Sequence, residues 1–176
     1  MVFSFLKSEI SNFRFRFLTF ATNLNTATMK ITLRPYAPAD FETIFEIDQA
    51  CYEPAIAYSR RELRNYLRFP GADCTLAESD GKPAGFILTA HGKAWGYIVT
   101  IDVLASHRRS GVGAMLLAEA ERRLASSGVR EIGLETATDN SSAIAFWRKH
   151  GYRKTGVKKG YYPGGRDAFS MNKLLT

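Results

Sequence analysis

A chain of 176 residues with 45% hydrophobic and 23% charged side chains has the length and composition of one globular domain with a real core. No run approaches the roughly 18 consecutive apolar residues of a membrane-spanning helix. The formal net charge of +7 favours an anionic partner, whether a nucleotide cofactor, an acidic protein surface or a nucleic-acid-containing particle, without choosing among them. Cys51 and Cys74 lack metal-ligand spacing and read as small buried hydrophobes in a reducing, cytoplasmic compartment. His91, His107 and His150 are scattered, so no metal site is expected.

The first 28 residues differ from the rest. Phe3, Phe5, Phe13, Phe15, Phe17 and Phe20 crowd among Ser, Thr and Asn with no helical stripe and no good secretory or transit pattern. They are expected to be a disordered arm or a piece upstream of the true start, with the functional domain spanning residues 29–176. From there, Ile31 to Arg34 reads as a strand. Pro38-Ala39-Asp40 opens a helix with Ile44 and Ile47 inward, breaking after Ala50. Ser59 caps a second helix with Leu63 and Leu67 one turn apart, stopped by Pro70-Gly71. Cys74 to Glu78, the turn Ser79-Asp80-Gly81, and Ala84 to Thr89 make a hairpin. Trp95 to Leu104 is a long β-branched strand. Ala114 to Ser127 is a helix with Leu117, Ala120 and Leu124 on one face, ended by Gly128. Arg130 to Ala137 is a strand. Asp139 or Asn140 caps a helix through Lys149, stopped by Gly151. Strands at Tyr152 to Lys158 and Ala168 to Leu174 close the chain. The order β-α-α-β-β-β-α-β-α-β-β implies an α/β domain, a mixed sheet with helices on its faces.

The most informative stretch is Arg108-Arg109-Ser110-Gly111-Val112-Gly113, between a strand and a helix. A glycine-rich turn that opens a helix presents unpaired N–H groups and the positive end of the helix dipole, which suits a phosphate or pyrophosphate. Gly111 and Gly113 let the backbone approach an anion closely, and the two arginines add charge at the mouth. No Gly-Lys-Ser/Thr follows, so this is not a Walker loop. Leu116 stands where a dinucleotide fingerprint needs its third glycine.

In this context the chain resembles the GNAT superfamily of N-acetyltransferases. Arg108, Gly111 and Gly113 match that family's cofactor motif, Arg/Gln-x-x-Gly-x-Gly/Ala, and the resemblance runs from Ile31 to about Leu175. A finer resemblance is to the ribosomal-protein alanine N-acetyltransferases. Leu134-Glu135, Asn140, Trp147, Gly151-Tyr152, Tyr161-Tyr162-Pro163, Asp167-Ala168 and Met171 reproduce that family's spacing. The resemblance implies the GNAT fold, a mostly antiparallel mixed sheet with a splayed central strand pair and helices on both faces. It also implies acetyl-CoA as co-substrate.

Residue by residue, the resemblance assigns the pyrophosphate to Arg108, Arg109, Ser110, Gly111, Val112 and Gly113. It pairs the pantetheine arm with the edge of the strand at Ile101, Asp102 and Val103, and gives Asn140 a contact to the cofactor amide beside its helix-cap role. Alternation along that strand points Asp102 away from Ile101 and Val103, towards either a substrate amine or a structural hydrogen bond. The family's general base falls on Glu135, which strand parity places with Glu131 and Gly133. The family's general acid is a Tyr, and here that position is Trp147. Indole N–H donates a hydrogen bond but releases no proton near neutral pH. Trp147 then packs against the thioethyl arm or in the core. The thiolate leaves unaided, Tyr161 or Tyr162 supplies the proton, or activity is altered.

Substrate choice is expected in the loop from Cys51 to Tyr58 and the segment from Tyr161 to Arg166. There, Glu53 is a candidate for a substrate ammonium or a solvated loop carboxylate. The leading expectation is transfer of an acetyl group from acetyl-CoA to a protein N-terminal α-amine, with a ribosomal protein as the kind of partner. A small-molecule amine acetyltransferase and a non-catalytic acetyl-CoA-binding regulator are the alternatives. A nucleic-acid module ranks last, because Arg60, Arg61, Arg64 and Arg68 form a helix face rather than a continuous stripe.

Overall fold

Seven segments of alternating or continuous apolar character pair into one sheet. The structure is a computed structural model that describes residues 30–175. The expectation for residues 1–28 lies outside the described residues. The strands are β1 (Ile31–Pro35), β2 (Ala72–Ser79), β3 (Lys82–His91), β4 (Trp95–Val103), β5 (Glu131–Ala137), β6 (Arg153–Tyr162) and β7 (Arg166–Leu174). The helices are α1 (Phe41–Cys51), α2 (Arg60–Leu67), α3 (Val112–Ser126) and α4 (Ser141–Lys149). The sheet order is β1-β2-β3-β4-β5-β7-β6, antiparallel throughout except for β4 and β5, which run parallel. The mixed α/β architecture with helices on both faces is the one the sequence implied. Among the described residues no helix is long and apolar enough to cross a membrane.

Local chemistry sets the element ends. Ser59 and Glu62 form a reciprocal capping box at α2, with Glu62 N donating to Ser59 Oγ at 3.3 Å and Ser59 N to Glu62 Oε2 at 2.9 Å. Asp80 (φ 50) and Gly81 (φ 77) are both left-handed, the geometry of a two-residue hairpin turn between β2 and β3. Asn140, and not Asp139, caps α4, its Oδ1 accepting from Ala143 N at 3.0 Å. Several boundaries differ from the sequence reading, and two of them bear on the site. Helix α3 starts at Val112 rather than Ala114, because Gly111 (φ 92) serves as its cap and Val112 is fully buried. Strand β6 continues past Lys158 to Tyr162, held where Gly160 N and Lys159 Nζ both bond Asp167, at 3.0 and 2.6 Å.

Two cores sandwich the sheet. On one face α3 and α4 bury Leu116, Leu117, Ala120, Leu124 and Trp147 against Ile98, Ile132, Leu134 and Met171. On the other, α1 and α2 bury Ile44, Ile47 and Leu63 against Leu76, Phe86 and Leu88. Each Leu, Ile, Met or Phe among them contributes about 1.5–3 kcal/mol on burial. Two features of β4 then make a site. Its register against β3 slips between Leu88 and Thr89, so Val99 is an extra residue. This bulge lets Ile98, Ile101 and Val103 all join the α3 side while Val99 packs towards α1 and α2. In addition, β4 pairs with β5 only from Trp95 to Tyr97, against Glu131 to Gly133. Beyond that point the two strands part.

Candidate functional site

The parting of β4 and β5 opens a cleft at the C-terminal ends of the parallel pair, where the crossover helix α3 also begins. Among the described residues, the β4 edge from Ile98 to Val103 has no strand partner on this side. Arg108 Nε donates to Val103 O at 3.0 Å, which ties the turn to the strand end. The turn itself is exposed from Arg108 to Gly111, with Arg109 (φ 66) and Gly111 (φ 92) in the left-handed region. Ser110 Oγ donates to His107 O at 2.6 Å. The N–H groups of the first turn of α3 have no intrahelical acceptor, and the space beside Gly111 is open. A diphosphate fits this chemistry, and a linear amide-bearing arm fits the free β4 edge. The residues that would hold such a cofactor are those the sequence singled out: Ile101 and Val103 through their backbone, and 108 to 113 through the turn.

Asp102 lies elsewhere in character. Its side chain is 1% exposed and faces α1, with Thr100 Oγ1 donating to Oδ1 at 2.8 Å and Tyr52 OH lying 3.2 Å from Thr100 Oγ1. Among the described residues its Oδ2 has no hydrogen-bond partner. Burial, together with the nearby Asp48 charge, pushes the Asp102 carboxyl up to about 7. Asp48, also fully buried and with Oδ1 unpartnered, is pushed by burial up to about 6. Asp48 was not singled out from sequence; a lone Asp on the inward face of an apolar helix is the signal that could have found it.

Across the cleft stands Glu135, on the face of β5 that parity assigned to it. Its side chain is only 8% exposed. Tyr97 OH donates to Oε2, Ser170 Oγ donates to Oε1 at 3.3 Å, and Lys158 Nζ pairs with Oε1 at 2.7 Å. Burial and the bond to Glu135 raise the Tyr97 phenol well above its ordinary range, so it holds its proton. Tyr97, Lys158 and Ser170 were missed in the sequence. Their convergence depends on the order β4-β5-β7-β6, and in one dimension they are 38, 23 and 35 residues from Glu135.

The approach to Glu135 is lined with tyrosines. Tyr162 OH donates to Glu135 O at 3.4 Å, and burial pushes its phenol up to about 12. Tyr161 is exposed and meets Tyr162 edge-on, with centroids 5.0 Å apart. Tyr58 donates to Val99 O at 3.3 Å and meets Tyr66 edge-on at 5.3 Å. Arg166 reaches towards Glu53 (3.8 Å) and Asp139 (3.9 Å), which links the α1–α2 loop to the β6–β7 end. The two segments expected to choose substrate therefore flank one entrance. Trp147 is not at that entrance. It is 5% exposed in the α3-side core, edge-on to Phe146 (5.0 Å) and Tyr152 (5.2 Å).

A model of the acetyltransferase (GNAT) family matches residues 41–152, more than half of the chain. An N-alpha-acetyltransferase of Saccharolobus solfataricus is 37% identical over 81 residues, 46% of this chain and 48% of that protein. The [ribosomal protein bS18]-alanine N-acetyltransferase of Escherichia coli K12 is 30% identical over 118 residues, covering 58% of this chain and 80% of that protein. The chain spans less than half the length of some curated relatives it matches, 40% of one from Mycobacterium leprae. Among solved structures, Ard1 from Thermoplasma volcanium superposes with a TM-score of 0.76 at 25% identity, over 83% of this chain and 98% of that one.

Proposed function

Because the chain belongs to the GNAT acetyltransferase family, we propose that it transfers an acetyl group from acetyl-CoA to the α-amine of a protein N-terminus, with a ribosomal-protein terminus as the substrate class. The observation that carries this reading is the position of Glu135. It is a shielded carboxylate across the strand parting from the phosphate-type turn, at the end of an aromatic-walled entrance. An entrance between two loops accepts an extended chain end more readily than an enclosed pocket would.

Bound acetyl-CoA supplies an acyl carbon activated as a thioester. The protein's part is positioning and proton transfer. The turn from Arg108 to Gly113 grips a diphosphate, and the β4 edge aligns the arm behind it as an added strand. Glu135 receives the proton of the incoming ammonium, directly or through water, while Tyr97 and Ser170 fix its two oxygens. A β4 backbone N–H facing the cleft is suited to a developing oxyanion. Asn140, at the start of α4, is the side chain proposed to reach the cofactor amide. Tyr161 or Tyr162 is the side chain proposed to give a departing thiolate its proton.

The test is CoA release by the 176-residue protein with acetyl-CoA and peptides differing only in their first residue, beside spermidine and an aminoglycoside. Turnover on Ala- or Ser-starting peptides, reduced about 100-fold or more by Glu135→Gln, is the expected result. Turnover confined to spermidine or the aminoglycoside would replace the peptide reading with a small-amine one.

A further inference from the structure

Both oxygens of the Glu135 carboxylate carry partners in this structure. Two of its three partners, Tyr97 and Ser170, are neutral hydroxyls. The third is a cation, and among the described residues Lys158 is the one paired with Glu135. Lys158 is on the edge strand β6, in register with Ala168, and β7 separates it from β5. Two inter-strand steps total about 9–10 Å, which a lysine and a glutamate side chain span only by reaching towards each other. The row they cross is low: Ser170 faces Glu135 on one side and Gly156 on the other. The ammonium also lies over the Tyr161 ring, with Nζ 5.2 Å from the centroid. Lys158 remains 50% exposed, so its tip can swing away.

We propose that Lys158 is an internal pseudo-substrate: its ε-ammonium occupies the seat of the acceptor's α-ammonium on Glu135, and without an acceptor its own nitrogen takes the acetyl group. The inference rests on Glu135 being the base of the proposed reaction. The co-reactant is an acyl thioester. Lys158 Nζ gives one proton to Glu135, and its lone pair forms the N–C bond to the carbonyl carbon. The C–S bond breaks, with its electron pair leaving on sulfur as a thiolate. The second proton of the nitrogen then neutralises the thiolate. The net change is one ammonium plus one thioester giving one amide, one thiol and one proton. The amide carries no charge, so it no longer pairs with Glu135 and leaves the seat open. An acceptor peptide, by contrast, displaces the lysine and spares it.

The experiment is residue-resolved mass spectrometry of Lys158, with Lys159 as the internal reference, in two conditions. With acetic anhydride and no acetyl-CoA, the ion pair protects Lys158, and Glu135→Gln is expected to raise its labelling several-fold while Lys159 is unchanged. With acetyl-CoA and no acceptor, wild-type Lys158 becomes acetylated at a rate per molecule independent of protein concentration. The same mutant is expected to lose this. The opposite signs exclude simple exposure. Should Glu135→Gln fail to fold, a saturating Ala-starting peptide added to wild type is expected to suppress acetylation from acetyl-CoA. Peptide turnover with Lys158 unmodified overturns this inference and leaves the proposed function standing. Acetylated Lys158 with no peptide turned over supports the pseudo-substrate and removes the peptide reading. Equal acetylation of Lys158 in wild type and mutant overturns it as uncatalysed chemistry.

Discussion

Asp102 is a buried acid on β4, and its titration should be visible in stability. Burial raises its folded value to about 7 from an ordinary 3.8, so the folded protein holds this proton after the unfolded chain has released it. For a raised carboxyl, stabilisation is fully present below the unfolded value and is lost as pH rises through the folded one. With 1.36 kcal/mol per pH unit of difference, Asp102 costs the fold about 3 kcal/mol between pH 5 and pH 8. Asp48, raised to about 6, adds a smaller loss that is complete sooner. Asp102→Asn keeps an oxygen to accept from Thr100 Oγ1 and removes the ionisation. Urea unfolding of both proteins at pH 5 and pH 8 measures the difference. The variant should be the more stable at pH 8 relative to wild type, by about 3 kcal/mol more than at pH 5. A wild-type stability that rises over this interval, or an equal pH slope in both proteins, would refute the reasoning.

Tyr97→Phe removes the hydroxyl that fixes Glu135 Oε2, a bond to a charged group of about 1.5–3 kcal/mol. Steady-state kinetics should show kcat/KM for the acceptor down about 10-fold or more, with the KM for acetyl-CoA little changed. Gly111→Val forces a β-branched residue to φ 92, and should lower unfolding stability by about 1–2 kcal/mol and raise the KM for acetyl-CoA. Asn140→Ala removes the bond to Ala143 N at the start of α4 and should cost about 1 kcal/mol in urea unfolding.

The fold was legible because its signals are local. Ser59, Asp80-Gly81, Gly128 and Gly151 each mark an element end through their own local preference. Parity along β5 was equally local, and it placed Glu135 on its face correctly. What sequence could not supply was lateral order. Nothing local says that β7 inserts between β5 and β6, and that insertion alone brings Ser170 and Lys158 to Glu135. The same holds for Tyr97, whose meeting with Glu135 needs β4 and β5 to pair for three residues and then part. The bulge at Val99 is a further non-local event. Counting alternate residues along β4 from Ile98 leads to Thr100, whereas the sheet puts Ile101 beside Ile98 in the α3-side core.

Trp147 ties these points together. It was singled out by a resemblance that expects a proton donor there, yet its indole lies between Phe146 and Tyr152 in the α3-side core. Phe146 in turn lies beside Gly113, at the foot of the turn proposed to hold the diphosphate. Bulk at Trp147 therefore bears on the cofactor side of the cleft through Phe146, by packing rather than by proton transfer. The titratable hydroxyls are on the other side, where Tyr97 and Tyr162 each bond to Glu135 and Tyr161 packs against Tyr162. A division of labour follows from this placement. On the proposed reading, the α3–α4 side would supply rigid shape and an anion seat, while the open face of β5, β7 and β6 would supply the proton acceptor Glu135 and its hydroxyl and lysine partners. On the same reading, a proton donor in place of a phenol at Trp147 is therefore to be sought at Tyr161 or Tyr162, not in the helix where the resemblance puts it.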